Sequence, residues 1–120
     1  MSKITIENGP TVLAPDDKRL VLALEDGGLD ILHRCGGYAK CTTCRVQFRS
    51  GEPDTMTAAE RNRLAESGLV GQYRLSCQIY CDHDMTLKWV NRLSQSEYDD
   101  TGNRPKDQIT PDAVWMKRPR

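Results

Sequence analysis

Lys3-Ile4-Thr5-Ile6-Glu7 alternates polar and apolar residues, which puts Ile4 and Ile6 on one face of a strand. Asn8-Gly9-Pro10 is a turn signal, and Thr11-Val12-Leu13-Ala14 reads as the hairpin partner. Pro15-Asp16-Asp17 then opens a short helix. Leu20, Ala23 and Leu24 have helical spacing, acids stand at its start, and Gly27-Gly28 ends it. The apolar stretch Leu29–Leu32 leads into a glycine-containing loop. Beyond that loop Arg45–Arg49 alternates again, with Val46 and Phe48 inward and Ser50-Gly51 closing the strand. Thr57-Ala58-Ala59-Glu60 has the spacing of a capping box, predicting a helix to about Ser67 with Gly68 past its end. Residues 73–80 read as extended, 82–84 as a turn, and 85–90 as a last strand with Leu87 and Trp89. The order β-β-α-loop-β-α-β-β predicts an α+β protein, a mixed sheet packed on one main helix.

After about Asn91 the periodicity stops. The remainder holds three of the six prolines and many polar residues. The expected division is therefore a domain over 1–90 and an extension over 91–120. The extension either packs back on the domain through Trp115 and Met116 or orders on a partner; packing back is the preferred reading.

With 120 residues, 38% apolar, the chain suffices for one modest core, which a folded-in cofactor would help stabilise. A formal net charge of zero provides no basic footprint for nucleic acid. No segment approaches membrane-spanning length and none resembles a signal peptide, so a cytoplasmic protein is expected. The five cysteines, an odd number, do not suit a disulfide framework.

Three of the five are Cys35, Cys41 and Cys44, spaced C-x5-C-x2-C, and Cys77 follows after thirty-two intervening residues. Clustered thiols in a reducing compartment are metal ligands more often than disulfides. Two soft-metal centres suit them, a 2Fe–2S cluster and zinc. Each iron of a 2Fe–2S centre needs two terminal thiolates. The natural assignment is Cys35 with Cys41 on one iron and Cys44 with Cys77 on the other. Such a centre carries about −2 charge, about −3 when reduced, which inward-pointing amides can offset. Gly36 and Gly37 allow the backbone to aim them, and Thr42 and Thr43 can add hydroxyl donors. The zinc alternative would use Cys41/Cys44 and Cys77/Cys81 as two knuckles, leaving Cys35 unused.

The blocks Cys35-Gly36-Gly37-Tyr38-Ala39-Lys40-Cys41-Thr42-Thr43-Cys44-Arg45-Val46 and Tyr73-Arg74-Leu75-Ser76-Cys77-Gln78-Ile79 resemble the 2Fe–2S ferredoxins over roughly residues 3–90. The x5 spacing is closer to the adrenodoxin-like and many bacterial ferredoxins than to the plant type. The resemblance implies a β-grasp fold, ligation by Cys35, Cys41, Cys44 and Cys77, and one-electron transfer between a flavoprotein reductase and an acceptor enzyme. The potential would be roughly −400 to −200 mV. The adrenodoxin group has an acidic recognition helix. Here Thr57–Ser67 sets Glu60 and Glu66 against Arg61 and Arg63, so docking through an acidic helix is not indicated.

Arg34, Lys40, Arg45 and Arg74 flank the cysteines, as a docking rim that raises the potential or as plain solvated charge. Tyr38 is either a contact aromatic or a cover for the site. His33 is most simply a hydrogen-bonded neighbour of the loop, and Cys81 an inert spare thiol. No catalytic triad, phosphate loop or dinucleotide fingerprint is present, so the reading is a monomeric electron carrier and not an enzyme. The alternatives are a redox-dependent regulatory or protective binding module on the same cluster, or an accessory electron-transfer subunit of a larger complex.

Overall fold

The structure is a computed structural model that describes residues 1–119. Arg120, the last residue of the extension, lies outside the described residues.

Strands β1 (Ser2–Ile6) and β2 (Thr11–Ala14) form the antiparallel hairpin that their alternation predicts, with Ile4 and Ile6 buried. Helix α1 (Leu20–Asp26) begins later than Pro15-Asp16-Asp17 suggests, and no acid lies in its first turn. Those residues make a turn of their own, closed by Lys18 N donating to Pro15 O at 3.0 Å. Arg19 is still extended and bridges Tyr80, which keeps the chain out of the helix until Leu20. Leu20 to Leu24 are all buried, so the first five residues of α1 are enclosed on every side. Gly28, at φ 96°, lets the chain leave the helix.

The remaining elements are β3 (Arg45–Ser50), β4 (Thr55–Thr57), α2 (Ala58–Glu66), β5 (Arg74–Leu75), β6 (Met85–Trp89) and β7 (Trp115–Lys117). Five strands form one sheet in the order β2-β1-β6-β3-β5. Only β1 and β6 run parallel; the other neighbours are antiparallel. The residues of α1 share one core with Ile4, Ile6, Val46, Leu75 and Leu87 from the sheet. Each such side chain contributes roughly 1.5–3 kcal/mol by leaving water. This mixed sheet packed on one main helix is the α+β, β-grasp arrangement expected.

The structure departs from the sequence reading in three further places. Residues 73–80 are not one extended run: Ser76–Gln78 form a 3-10 turn. Both the amide and the hydroxyl of Ser76 donate to Cys44 O, at 3.3 and 2.7 Å, and these bonds bend the chain there. The capping box on α2 is half made. Thr57 Oγ1 accepts from Glu60 N at 3.1 Å, but the Glu60 carboxylate turns inward to other donors. Finally, β4 pairs with β7, Met56 opposite Met116, in a separate two-stranded sheet. That pairing draws residues 91–119 around the molecule, helped by Leu93 N to Asp30 O and His33 N to Thr101 O. The segment's buried apolar anchor is Ile109, 4% exposed, whereas Trp115 is 47% exposed and rests against the Tyr80 ring.

Candidate metal centre

The loop between α1 and β3 has its backbone inverted at three positions, with φ of 71° at Gly36, 89° at Gly37 and 57° at Ala39. Successive left-handed residues turn neighbouring amides toward one concavity, which favours anions. Here the N–H groups of Gly37, Tyr38 and Lys40 point at the Cys35 sulfur. Thr43 brings its amide and its hydroxyl to Cys41, the hydroxyl at 3.1 Å. The 3-10 turn at Ser76–Gln78 presents Cys77 from the far side, with the Cys77 amide directed at the Cys44 sulfur.

The four thiols lie in two hydrogen-bonded pairs, Cys35 with Cys41 and Cys44 with Cys77. The Cys41 hydrogen bond, joined by the three amides and opposed by burial, holds Cys35 far below the usual thiol range, at about 4. Cys41, as the donor to Cys35, is pushed up. In the second pair the Cys77 hydrogen bond lowers Cys44, while Cys77 is raised by the same contact. A metal bound by these sulfurs would displace their protons. The Cys35 charge also reaches Cys44 and Cys77, so the two pairs are neighbours.

Two thiol pairs with amides aimed at their sulfurs fit a binuclear anionic cluster. Cys81 does not form a knuckle with Cys77. It is fully buried, its amide donates to Lys18 O at 2.9 Å, and its charged neighbours are Asp82, Lys18 and Asp16. Burial, reinforced by Asp82, pushes its thiol up to about 12, leaving it unreactive at neutral pH.

The flanking residues separate into two kinds. Arg74 is no rim residue: it is 3% exposed, and its Nε donates to Glu60 Oε2 at 2.8 Å. Glu60, fully buried, also accepts from Arg74 Nη2 and from Leu75 N, at 3.2 and 2.8 Å. Arg34 and Lys40 are exposed and Arg45 is half-buried. Arg34 pairs with Asp100 and lies over the Tyr98 ring, and Lys40 lies 5.9 Å from the centre of the half-buried Tyr38 ring. His33 is buried with Nε2 3.0 Å from Glu25 Oε1.

The cysteine motif does not single out Arg19, Gln78 or Thr110, yet all three meet at the carbonyl of Gly37. Arg19 Nη2 donates to it at 2.6 Å, Gln78 Nε2 at 3.3 Å and Thr110 Oγ1 at 3.1 Å. Nothing in the spacing of the sequence marks Arg19, which is extended and stands just before the helix. A Cβ at Gly37 would lie 2.7 Å from Arg19 Nη2 and 2.8 Å from Pro105 Cβ, so only glycine fits there.

A β-grasp sheet carrying paired thiols in an amide-lined loop defines a small iron–sulfur protein. Residues 4–82 match the family described as the 2Fe-2S iron-sulfur cluster binding domain, and the chain belongs to that family. The ISC-like 2Fe-2S ferredoxin FdxB of Pseudomonas putida superposes with a TM-score of 0.60 at 27% identity, over 75% of this chain and 93% of that one. A ferredoxin of Rhodopseudomonas palustris gives a TM-score of 0.55 at 25% identity, over 75% and 95%. Among curated proteins, the F subunit of the Na(+)-translocating NADH-quinone reductase of Chlamydia felis is 32% identical over 100 residues. That match covers 82% of this chain and 23% of the relative, so the chain spans about a quarter of the curated relative's length. Among the described residues no helix is long and apolar enough to cross a membrane.

Proposed function

We propose that this chain is a one-electron carrier whose cluster is held by Cys35 and Cys41 on one iron and by Cys44 and Cys77 on the other. The observation supporting it is the thiol arrangement: two neighbouring pairs, with backbone amides directed at the sulfurs. When bound, the cluster supplies a reversible one-electron couple. The protein's part is to hold the four thiolates, supply amide dipoles to a negative centre, and keep bulk water off one side of it. The two pairs differ in access. Cys35 and Cys41 are half-buried while Cys44 and Cys77 are at most 1% exposed, so the electron path runs through the Cys35/Cys41 edge.

The partners in this reading are a flavoprotein reductase and an acceptor enzyme, met in turn by a monomeric carrier in the cytoplasm. Docking does not use an acidic α2. Glu60 is buried, leaving Arg61, Arg63 and Glu66 as the charges that reach its surface. With Arg34 and Lys40 also exposed, the face beside the loop suits a partner surface of acidic or neutral character.

The test is spectroscopic. The native protein is expected to show visible absorption from 2Fe–2S and a paramagnetic signal when reduced. Replacing Cys35, Cys41, Cys44 or Cys77 with Ser should abolish or weaken both, while Cys81→Ser leaves them unchanged. A colourless protein with stoichiometric zinc refutes the reading.

A second reading, a cluster-bearing component within a larger reductase, is favoured by the likeness to part of the NADH-quinone reductase relative. Elution of the native protein at the size of a single chain, with free electron exchange in solution, decides for the carrier.

A further inference from the structure

Arg19 is fully buried, yet no carboxylate among the described residues lies within ion-pair distance of it. Its guanidinium instead makes five hydrogen bonds, all to backbone carbonyls. Nε and Nη2 donate to Cys77 O at 2.9 and 2.6 Å. Nη2 also donates to Gly37 O at 2.6 Å. Nη1 donates to Lys106 O and Gln108 O at 2.9 and 3.1 Å. An isolated charge is costly to bury, and carbonyl dipoles alone offset it only in part. The groups it grips are informative. Cys77 is one of the paired thiols, Gly37 lies in the amide-lined loop, and Lys106 and Gln108 belong to the C-terminal segment.

We propose that Arg19 is the positioning residue and buried counter-charge of the 2Fe–2S centre, and that the C-terminal segment is the third support of that arrangement. This rests on the ligand set proposed above. Two effects follow from its place. The first is orientation. The Gly37–Tyr38 peptide is planar and trans, so its C=O and N–H point in opposite directions. Arg19, Gln78 and Thr110 hold the carbonyl end, and the opposite end, the Tyr38 N–H, faces the Cys35 sulfur. Releasing the carbonyl would free the amide to turn away. The second effect is charge. Reduction adds one electron and hence one negative charge, and a fixed cation in a low-dielectric interior stabilises the more negative state. Both effects raise the reduction potential. Thr110 connects the effect to the C-terminal segment: its carbonyl accepts from Gln78 Nε2 at 2.8 Å while its hydroxyl donates to Gly37 O.

The experiment is a redox titration, followed by visible absorption, of the native holoprotein beside Arg19→Gln, Arg19→Lys and Thr110→Val. In Arg19→Gln the reduction equilibrium should fall about tenfold, equal to about 59 mV for one electron. Arg19→Lys should fall less, because it keeps the charge and loses the planar fork. Thr110→Val removes one of three donors on the Gly37 carbonyl and should fall about twofold. A native potential in cluster-loaded Arg19→Gln overturns the proposal. Should that variant take up no cluster, a native potential in Thr110→Val overturns it instead. A native chain that binds no 2Fe–2S cluster overturns both this proposal and the ligand set, whereas unmoved potentials in loaded variants overturn the role of Arg19 alone.

Discussion

Glu60 and Arg74 form the most enclosed ion pair in the molecule's described residues, at 0% and 3% side-chain exposure. The carboxylate accepts three bonds, two from Arg74 and one from Leu75 N, and Arg74 is further held by Glu52 and by the carbonyls of Pro53 and Thr55. Burial pushes the Glu60 carboxyl up, and the Arg74 bonds oppose that rise; without Glu60, Arg74 Nε and the buried Leu75 amide lose their acceptor. Glu60→Ala is therefore expected to lose about 3–5 kcal/mol in denaturant unfolding of the holoprotein. Glu60→Gln, which can still accept from Leu75 N, should lose less. Equal stability of Glu60→Ala and native protein would show that the pair is not structural. Periodicity revealed Glu60 only as a capping residue. Its real partners come from β5, fourteen and fifteen residues away in sequence, and local spacing holds no information about them.

At the level of elements, turns determine where the strands can place their side chains. Ser76 bends the chain at β5 by bonding Cys44 O, and that bend directs Cys77 toward Cys44. A bulge at Arg49 in β3, between the Phe48–Leu87 and Ser50–Thr86 pairs, accompanies its bond to Glu7 at 2.6 Å. The turn before β6 is fastened by His83, whose Nε2 lies 2.6 Å from Gly51 O and whose Nδ1 lies 2.7 Å from Asp82 Oδ1. Partial burial opposes the His83 charge, but the Gly51 carbonyl and the Asp82 carboxylate outweigh it and raise its pKa above 6.5. A raised pKa means that the folded state binds the proton more tightly. The contribution is thus complete below about pH 6.5 and is lost as pH rises through the higher folded value. Melting temperature should fall as pH rises above about 6.5, and His83→Gln should flatten that slope. A slope identical in variant and native protein would assign the pH dependence elsewhere.

For the whole molecule, the C-terminal segment and the thiol loop stand or fall together. Residues 101–117 cover His33, reach Gly37 through Thr110, supply two acceptors to Arg19 and add β7 to β4. Proteolytic removal of the segment after Asn91 should therefore lower the melting temperature and hasten loss of the visible cluster absorption. Burial of Ile109 alone is worth roughly 1.5–3 kcal/mol. Cluster absorption that decays at the native rate after cleavage would separate the segment from the site. Removing iron with a chelator should destabilise the fold as well, because ligand pairing and folding are linked.

Residue pattern was enough to read the α+β class, the hairpin, α1, α2 and β3, because period and turn chemistry are local properties. It also pointed to the four thiols, since their spacing and the glycines between them express a local demand for inverted backbone. The packed fold was needed to show that Cys77 sits on a tight turn, that Arg74 is buried against Glu60, and that β7 pairs with β4. Folding also brought Arg19, Gln78 and Thr110 to one carbonyl, which no spacing foretells. The reason is physical: a buried cation or amide is stabilised by whichever acceptors the fold brings to it, and those of Arg19 are backbone carbonyls from residues 18 to 89 positions distant. Backbone carbonyls are the same in every residue, so no pattern of side chains marks them in advance.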